Sequence, residues 1–280
     1  MQRSLAFFGT ERRKFLSRQI RGRQVVEHLS DAVWNPSEPP QDAACIYIKC
    51  FPEVVPEHCW IDIVDYHQLI HWIWQHPEVG TIALSEYAKR HLEHVLPGRR
   101  VVTIPQQHCN DEGRLREDRP VRVVGFVGNG FGALGGFSPE ELKQGFADVG
   151  LEFRWLFNPS GEKRFSARRD VADFFAGIDV QVSFRRFHSW DQNRKLKDAL
   201  RIVNAGSFGI PTVAFPELTY EYMCRDAYIP VTRMRDLFQA CKQLATDRVL
   251  YSDVALRAFE LAQNYHIDKI LPLYEELRCA

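Results

Sequence analysis

Three polar side chains that could bind a phosphate lie in one segment, KLKDALRIVNAGSFGIPTVAFPELTYEYM, which runs from Lys195 to Met223. Lys197, Arg201 and Asn204 are spaced i, i+4 and i+7, so we expect them to project from one face of a helix. Cations at a helix N-terminus oppose the helix dipole unless an anion lies between them. A phosphate would be stabilised by both the cations and the free backbone N–H groups. The alternative is a solvated basic face beside an apolar stripe.

Small residues lie at the end of this predicted helix, and an acidic residue follows it. Gly206, Ser207 and Gly209 allow a ligand or a neighbouring strand to approach the backbone closely, and Gly209 is expected to end the helix. The apolar run IPTVAF then predicts a strand, and Glu217 comes directly after it. Together with the two cations, these residues favour a ligand site over a solvated surface.

This segment resembles the donor-binding segment of GT-B glycosyltransferases, enzymes that move a sugar from an activated nucleotide donor. NAGSFGIPTVAFPE is similar to their EAMACGIPVVAS…E, and closer still to bacterial variants that read K-P-x-x-K-x-x-N-A-x-x-x-G-x-P. Lys197 and Arg201 match the two cations of those variants, and Asn204-Ala205 matches their Asn-Ala. Asp198 stands where the variants carry Pro, and a Glu occupies the position of Asn204 in the wider family.

The resemblance implies a fold, an activity and several site residues. The implied fold is α/β, with two Rossmann-like doubly wound domains facing a cleft. The implied donor is a nucleotide sugar, whose diphosphate would be stabilised by basic side chains and a helix N-terminus and not by a bound metal. No cofactor is therefore expected. The implied donor-binding residues include Lys197 and Arg201 with Arg185 for the diphosphate, and Asn204, Ser207 and Glu217 for hydroxyl groups.

A glycine-rich loop, GFVGNGFGALGG, follows another predicted strand. Gly128, Asn129 and Gly130 begin this loop, which would suit a flexible cover over the donor phosphates. A dinucleotide fingerprint would need an acidic residue at the end of the next strand, where Asn158 stands instead. The alternative is a glycine-rich surface turn.

The segment HCWIDIVDYHQLIHWIWQH holds many titratable side chains. Asp65 or His67 could take the proton from an acceptor hydroxyl, and His108 is a further catalytic candidate because it follows the last strand of the first half. Two alternatives are structural polar caps and a metal-dependent hydrolase that uses Asp62, Asp65, His67 and His71, since His67 and His71 have a metal-compatible i, i+4 spacing.

The opening segment FFGTERRKFLSRQIRGRQ places a run of arginines after the first predicted strand. In GT-B relatives the corresponding loop faces the acceptor, so the resemblance implies acceptor-binding roles for Gly9, Thr10 and Arg21. The charge would suit a glycan or lipid-linked acceptor that bears phosphate. A solvated basic loop is the alternative.

Strands and helices alternate along both halves of the chain, which predicts parallel sheets with right-handed crossovers. The polar segment 110–120 lacks periodicity and is the best linker candidate. We therefore predict an acceptor-binding domain over residues 1–115 and a donor-binding domain over 116–265. A last helix over 266–280 is expected to pack back across the domain boundary.

Composition restricts the partners and the compartment. The 36 basic residues balance the 36 acidic residues, so the overall charge does not indicate a nucleic-acid partner. No apolar run approaches the length that spans a bilayer, and the seven cysteines include no C-x-x-C pair. These features predict a cytoplasmic protein and leave contact with the inner face of the membrane open. The sequence thus predicts a metal-independent glycosyltransferase. The alternatives are the metal-dependent hydrolase and a non-catalytic nucleotide-sugar-binding protein.

Overall fold

The structure is a computed structural model that describes residues 3–9, 16–128, 137–156, 168–185 and 192–279. The chain divides into two compact units. Unit 1 comprises residues 1–107, 191–198 and 267–280, and unit 2 comprises residues 108–190 and 199–266. No helix among the described residues is both long enough and apolar enough to cross a membrane.

Unit 1 is built on a six-stranded parallel sheet in the order β2-β1-β3-β4-β5-β6. Alternate residues of its strands enter two apolar layers, so that Leu5 and Phe7 lie in one layer and Ala6 lies in the other. The elements are β1 (Ser4–Phe8), α1 (Leu16–Arg18), a π-helical stretch (Gln19–Arg23), α2 (Gln24–His28), β2 (Ala32–Trp34), β3 (Ala43–Ile48), β4 (Cys59–Asp62), α3 (Leu69–Gln75), β5 (Gly80–Ala83), α4 (Glu86–Val95) and β6 (Val101–Thr103).

Unit 2 contains a five-stranded parallel sheet in the order β11-β10-β9-β7-β8. Its elements are β7 (Val123–Val127), α5 (Pro139–Ala147), β8 (Glu152–Leu156), α6 (Arg168–Ala176), β9 (Val180–Ser183), α7 (Leu200–Ser207), β10 (Thr212–Ala214), α8 (Leu218–Met223), β11 (Ile229–Pro230), α9 (Met234–Thr246) and α10 (Arg248–Ala262). The helix α5 begins with a capping box, in which Ser138 and Glu141 each accept a hydrogen bond from the other's backbone N–H.

Two later segments complete unit 1. A 3₁₀-helix (Gln192–Leu196) places the fully buried Leu196 in the layer that also contains residues of α3 and α4. The helix α11 (Ile267–Glu275) packs into the other layer, where the rings of Phe7 and Tyr274 meet edge to face at 5.3 Å. The core of unit 1 is therefore assembled from three separate stretches of the chain.

The predicted α/β class is confirmed. The strands of two parallel sheets alternate with helices along the chain in a Rossmann-like arrangement. The segment RGRQVVEHLSDAV is helical only in its first part. The helix α2 ends at His28, and residues Ala32–Trp34 form the edge strand β2. The backbone is extended at Leu29, and the residues Ala32–Trp34 then pair with β1.

Candidate functional site

Several predicted donor-binding residues meet at the carboxyl edge of the sheet in unit 2. Gly128 follows β7, Arg185 follows β9 and Glu217 follows β10, and these three strands are neighbours in the sheet. Arg201 lies in the first turn of α7. Because ligands of doubly wound sheets bind outside the carboxyl ends of the strands, this edge is the candidate site.

The four residues form one contiguous cluster. Arg185 makes a bidentate ion pair with Glu217, in which Nε and Nη2 donate to the two carboxylate oxygens at 2.7 and 2.6 Å. Arg201 Nη1 donates to Ser183 Oγ at 3.0 Å, and its guanidinium lies 5.1 Å from the ring centroid of Phe126. At Gly128 an added Cβ would lie 2.9 Å from Arg201 Nη2, so the missing side chain makes room for this cation.

The cluster holds two cations and one carboxylate. Burial lowers the pKa of Arg185, but Tyr220 and Glu217 raise it, and its pKa lies above the usual value. Burial and the nearby charge of Arg185 lower the pKa of Arg201 to about 10, which still leaves it charged at neutral pH. Among the described residues, no carboxylate forms an ion pair with Arg201. The site therefore carries a net positive charge that an anion would stabilise.

The prediction that Lys197 and Arg201 project from one helical face is wrong. The helix α7 begins only at Leu200, whereas Lys197 lies in a non-helical stretch where its N–H bonds to the carbonyl of Arg194. The chain passes from unit 1 to unit 2 between Asp198 and Ala199. A continuous helix is not formed because the preceding Leu196 is packed into the core of unit 1. Binding of the donor by Lys197 stays a prediction.

The predicted end of the helix is confirmed. Gly209 has a φ of +68°, which glycine adopts without the steric cost of a Cβ. Its N–H bonds to the carbonyl of Gly206, and the N–H of Ile210 bonds to the carbonyl of Ala205. This pair of hydrogen bonds is a Schellman motif.

Asn204 and Ser207 contact the segment that opens unit 2. Asn204 Oδ1 accepts a hydrogen bond from the backbone N–H of Cys109 at 2.9 Å. Asn110 Nδ2 donates to the carbonyl of Ser207 at 2.8 Å, and Ser207 Oγ donates to the carbonyl of Asn204. The structure thus gives both residues a role in attaching residues Cys109 and Asn110 to α7. Their roles in donor binding stay predictions.

The candidate catalytic residue His108 is 2% exposed. Burial and the neighbouring His266 lower its pKa to about 4, so the ring is neutral at neutral pH. The ring nitrogen Nδ1 accepts a hydrogen bond from the N–H of Asn110 at 3.2 Å. These contacts favour a structural role, and a catalytic role for His108 stays a prediction.

In unit 1, Asp65 forms an ion pair with Lys49. Lys49 follows β3, Asp65 follows β4, and the backbone is left-handed at Lys49 and at Val64. A β-branched residue rarely adopts a positive φ, so the turn at Val64 is strained. His67 lies in the turn before α3, and its carbonyl accepts from the N–H of Ile70. Roles for Asp65 and His67 in proton transfer stay predictions.

The structure contradicts direct acceptor binding by Arg21. This side chain is fully buried, pairs with the equally buried Asp62 and donates to the carbonyl of Pro105 at 2.9 Å. The guanidinium is thus held inside unit 1, of which the helical stretch is a part. Gly9 exchanges two backbone hydrogen bonds with the side chain of Asn35. Thr10, Asn129 and Gly130 lie outside the described residues.

The four proposed ligands of the hydrolase alternative are all described. Asp62 is paired with Arg21 and Asp65 with Lys49. Within the described part of the chain, no group of three or more His, Cys, Asp or Glu side chains could hold a metal ion. The alternative therefore gains no support from the geometry.

Sequence reasoning missed three side chains of the cluster, namely Phe126, Ser183 and Tyr220. Tyr220 lies in α8, and its hydroxyl is within 3.3 Å of Arg185 Nη2. The spacing of three residues between Glu217 and Tyr220 was an available signal, because residues one helical turn apart lie on the same side.

No protein-family model and no curated protein sequence matches the chain. Among solved structures, the chain is similar to TarM, with a TM-score of 0.59 at 13% identity over 86% of this chain and 55% of TarM. It thus spans about half the length of TarM. It is also similar to WaaG, a glycosyltransferase involved in lipopolysaccharide biosynthesis, with a TM-score of 0.59 at 11% identity over 98% and 99% of the two chains.

HepE of Anabaena, solved with UDP and glucose, gives a TM-score of 0.61 at 11% identity over 98% of both chains. At these identities the likeness concerns the fold. The chain therefore has the α/β fold of GT-B glycosyltransferases, as the resemblance implied.

Proposed function

We propose that the protein is a glycosyltransferase that uses a nucleotide-sugar donor. The observation that carries the proposal is the pair of arginines at the carboxyl edge of the sheet in unit 2, of which Arg185 is paired with Glu217 and Arg201 is paired with no carboxylate of the described residues. The GT-B fold supports it, as does the UDP and glucose bound by the similar HepE.

The chemistry of sugar transfer fits this charge distribution. As the bond between the donor sugar and the diphosphate breaks, negative charge develops on the leaving group. Arg201 would stabilise that charge, together with the positive end of the α7 dipole. Because the protein supplies this positive charge itself, we propose transfer without a metal ion.

Glu217 would accept hydrogen bonds from donor hydroxyls. Its two oxygens already accept from Arg185, but each carboxylate oxygen has a second lone pair. Asn204 is the second candidate for hydroxyl binding. The acceptor would be a glycan or a lipid-linked sugar, with Asp65 as the candidate proton acceptor. Contact with a membrane surface is a further prediction.

The donor site is tested by replacing Arg201 with glutamine and titrating the protein with UDP in a calorimeter. Loss of a hydrogen bond to a charged group is expected to weaken UDP binding about 10- to 100-fold. Arg154→Gln is the matched control, since Arg154 is an exposed arginine of unit 2 that pairs with Glu152. Lys197→Ala is measured separately because Lys197 and Arg201 are not on one helix.

The activity is tested by incubating the protein with UDP-sugars and with glycan and lipid-linked acceptors, with and without EDTA. Transfer that persists in EDTA would support the proposal. Donor binding without turnover would identify a non-catalytic binding protein instead. Nucleotide binding that is equal in the Arg201 variant and the wild type would contradict the assignment of the donor site.

A further inference from the structure

The hydroxyls of Tyr220 and Ser183 link the two guanidinium groups of the candidate donor site. Tyr220 is fully buried. Its hydroxyl oxygen is 3.3 Å from Arg185 Nη2 and 3.4 Å from Ser183 Oγ, which accepts from Arg201 Nη1 at 3.0 Å. One chain of hydrogen bonds therefore connects both cations.

The hydrogen-bonding capacity of this hydroxyl matches its neighbours. A phenol oxygen offers two lone pairs and one proton. The Tyr220 oxygen accepts from Arg185, and it shares a hydrogen bond with Ser183 Oγ in which either hydroxyl can donate. The Ser183 oxygen also accepts from Arg201 Nη1. Tyr220 therefore acts on Arg185 directly and on Arg201 through Ser183.

Two cations this close repel each other, so hydrogen-bond acceptors are needed to keep them in place. The positive charge of Arg185 lowers the pKa of Arg201. Glu217 forms an ion pair with Arg185 but not with Arg201. Without the hydroxyls of Tyr220 and Ser183, Arg201 would be expected to turn toward solvent when no anion is bound. A site that is already formed avoids the entropic cost of ordering an arginine side chain during binding.

We propose that Tyr220 is a positioning residue for the diphosphate site, and that its hydroxyl holds Arg185 directly and Arg201 through Ser183 in the anion-binding arrangement before the ligand arrives. The proposal rests on the proposed donor site. It adds a residue that neither the resemblance nor the sequence pattern assigned.

The ring and the hydroxyl of Tyr220 have separable roles. The ring packs in an apolar cluster of unit 2, where it meets the ring of Tyr228 edge to face at 5.8 Å. Tyr228 is also buried, but its hydroxyl donates to Glu221 and not to a guanidinium. Phenylalanine preserves either ring, so Tyr228→Phe is a matched control for Tyr220→Phe.

The test compares wild type, Tyr220→Phe and Tyr228→Phe by calorimetric titration with inorganic pyrophosphate and with UDP. Pyrophosphate reports on the diphosphate site whatever the base of the natural donor. We expect Tyr220→Phe to weaken both ligands about tenfold, since a positioned contact to a charged group is lost. Tyr228→Phe should bind both ligands as the wild type does.

A second measurement needs no ligand. Nuclear relaxation of the arginine Nε–H groups reports side-chain order on the fast timescale. In Tyr220→Phe the order of the Arg201 side chain should fall, while it should be unchanged in Tyr228→Phe.

The outcomes separate the two proposals. If the wild type binds neither pyrophosphate nor UDP, the donor site itself is wrong, whatever the arginine order shows. If the wild type binds and Tyr220→Phe binds equally well with an equally ordered Arg201, the positioning role is wrong and the donor site stands. Equal weakening in both variants, with equal losses of melting temperature, would show a packing effect and overturn the positioning role.

Discussion

Replacing Arg21 with methionine is expected to destabilise the protein by about 3–5 kcal/mol, because the change leaves the carboxylate of Asp62 buried without its cation. Both side chains are fully buried, and Arg21 also donates to the carbonyl of Pro105. The free energy of unfolding is measured by urea denaturation and followed by tryptophan fluorescence, since Trp60 lies in the core of unit 1.

The matched control is Arg23→Met. Arg23 lies two residues further along the same helical stretch and pairs with Glu27, with both side chains more than half exposed. An exposed pair at this spacing contributes about 0.5 kcal/mol or less. Adding Asp62→Asn to Arg21→Met should recover part of the loss, because the buried charge is then removed. A loss for Arg21→Met no larger than for Arg23→Met would refute this account.

Replacing Asp179 with asparagine is expected to cost about 3 kcal/mol of stability at neutral pH. This carboxylate is 1% exposed and accepts from the guanidinium groups of Arg116 and Arg119. It also accepts from the backbone N–H groups of Arg122 and Val123, which begin the strand region of β7. Asparagine has the same shape but lacks the charge and one of the acceptors.

This loss should depend on pH. Burial raises the pKa of Asp179, but the backbone N–H groups and the two arginines lower it more, so its pKa in the folded state lies below the ordinary value. A carboxyl of this kind stabilises the fold above its unfolded pKa of about 3.9. The stabilisation is lost as the pH falls through the folded pKa, so the difference between wild type and Asp179→Asn should shrink below about pH 4.

Asp173→Asn is the control for this variant, since Asp173 is an exposed carboxylate that pairs with Arg114 and Arg169. It should change stability by less than about 1 kcal/mol at either pH. A difference between wild type and Asp179→Asn that stays constant from neutral pH to pH 3 would argue against the lowered pKa of Asp179.

The fold could be predicted from the sequence because strands and helices alternate with clear boundaries. The capping box at Ser138 and the terminating Gly209 are local signals, and the structure has both. The start of α7 was not predictable in this way. Helical spacing at Lys197 is intact in the sequence, but the packing of Leu196 into unit 1 overrides it.

The candidate site was predictable only in part. Gly128, Arg185 and Glu217 lie at one edge because parallel strands bring their carboxyl ends together, and this edge could be predicted from the alternation of strands and helices. The role of Arg21 was predicted wrongly because its partner Asp62 is 41 residues away in the sequence. A run of arginines is typical of a solvated segment, and the burial of one of them follows only from the fold. Distant pairing leaves no mark in local spacing.

The three-part composition of unit 1 has a consequence for biosynthesis. Its first layer contains Phe7 near one end of the chain and Ile270 and Tyr274 near the other, with all of unit 2 made in between. On the ribosome, unit 2 can therefore acquire its complete sequence first, while the earlier-made strands of unit 1 wait for the residues of α11. That apolar layer of unit 1 is therefore incomplete until Leu277 has been translated.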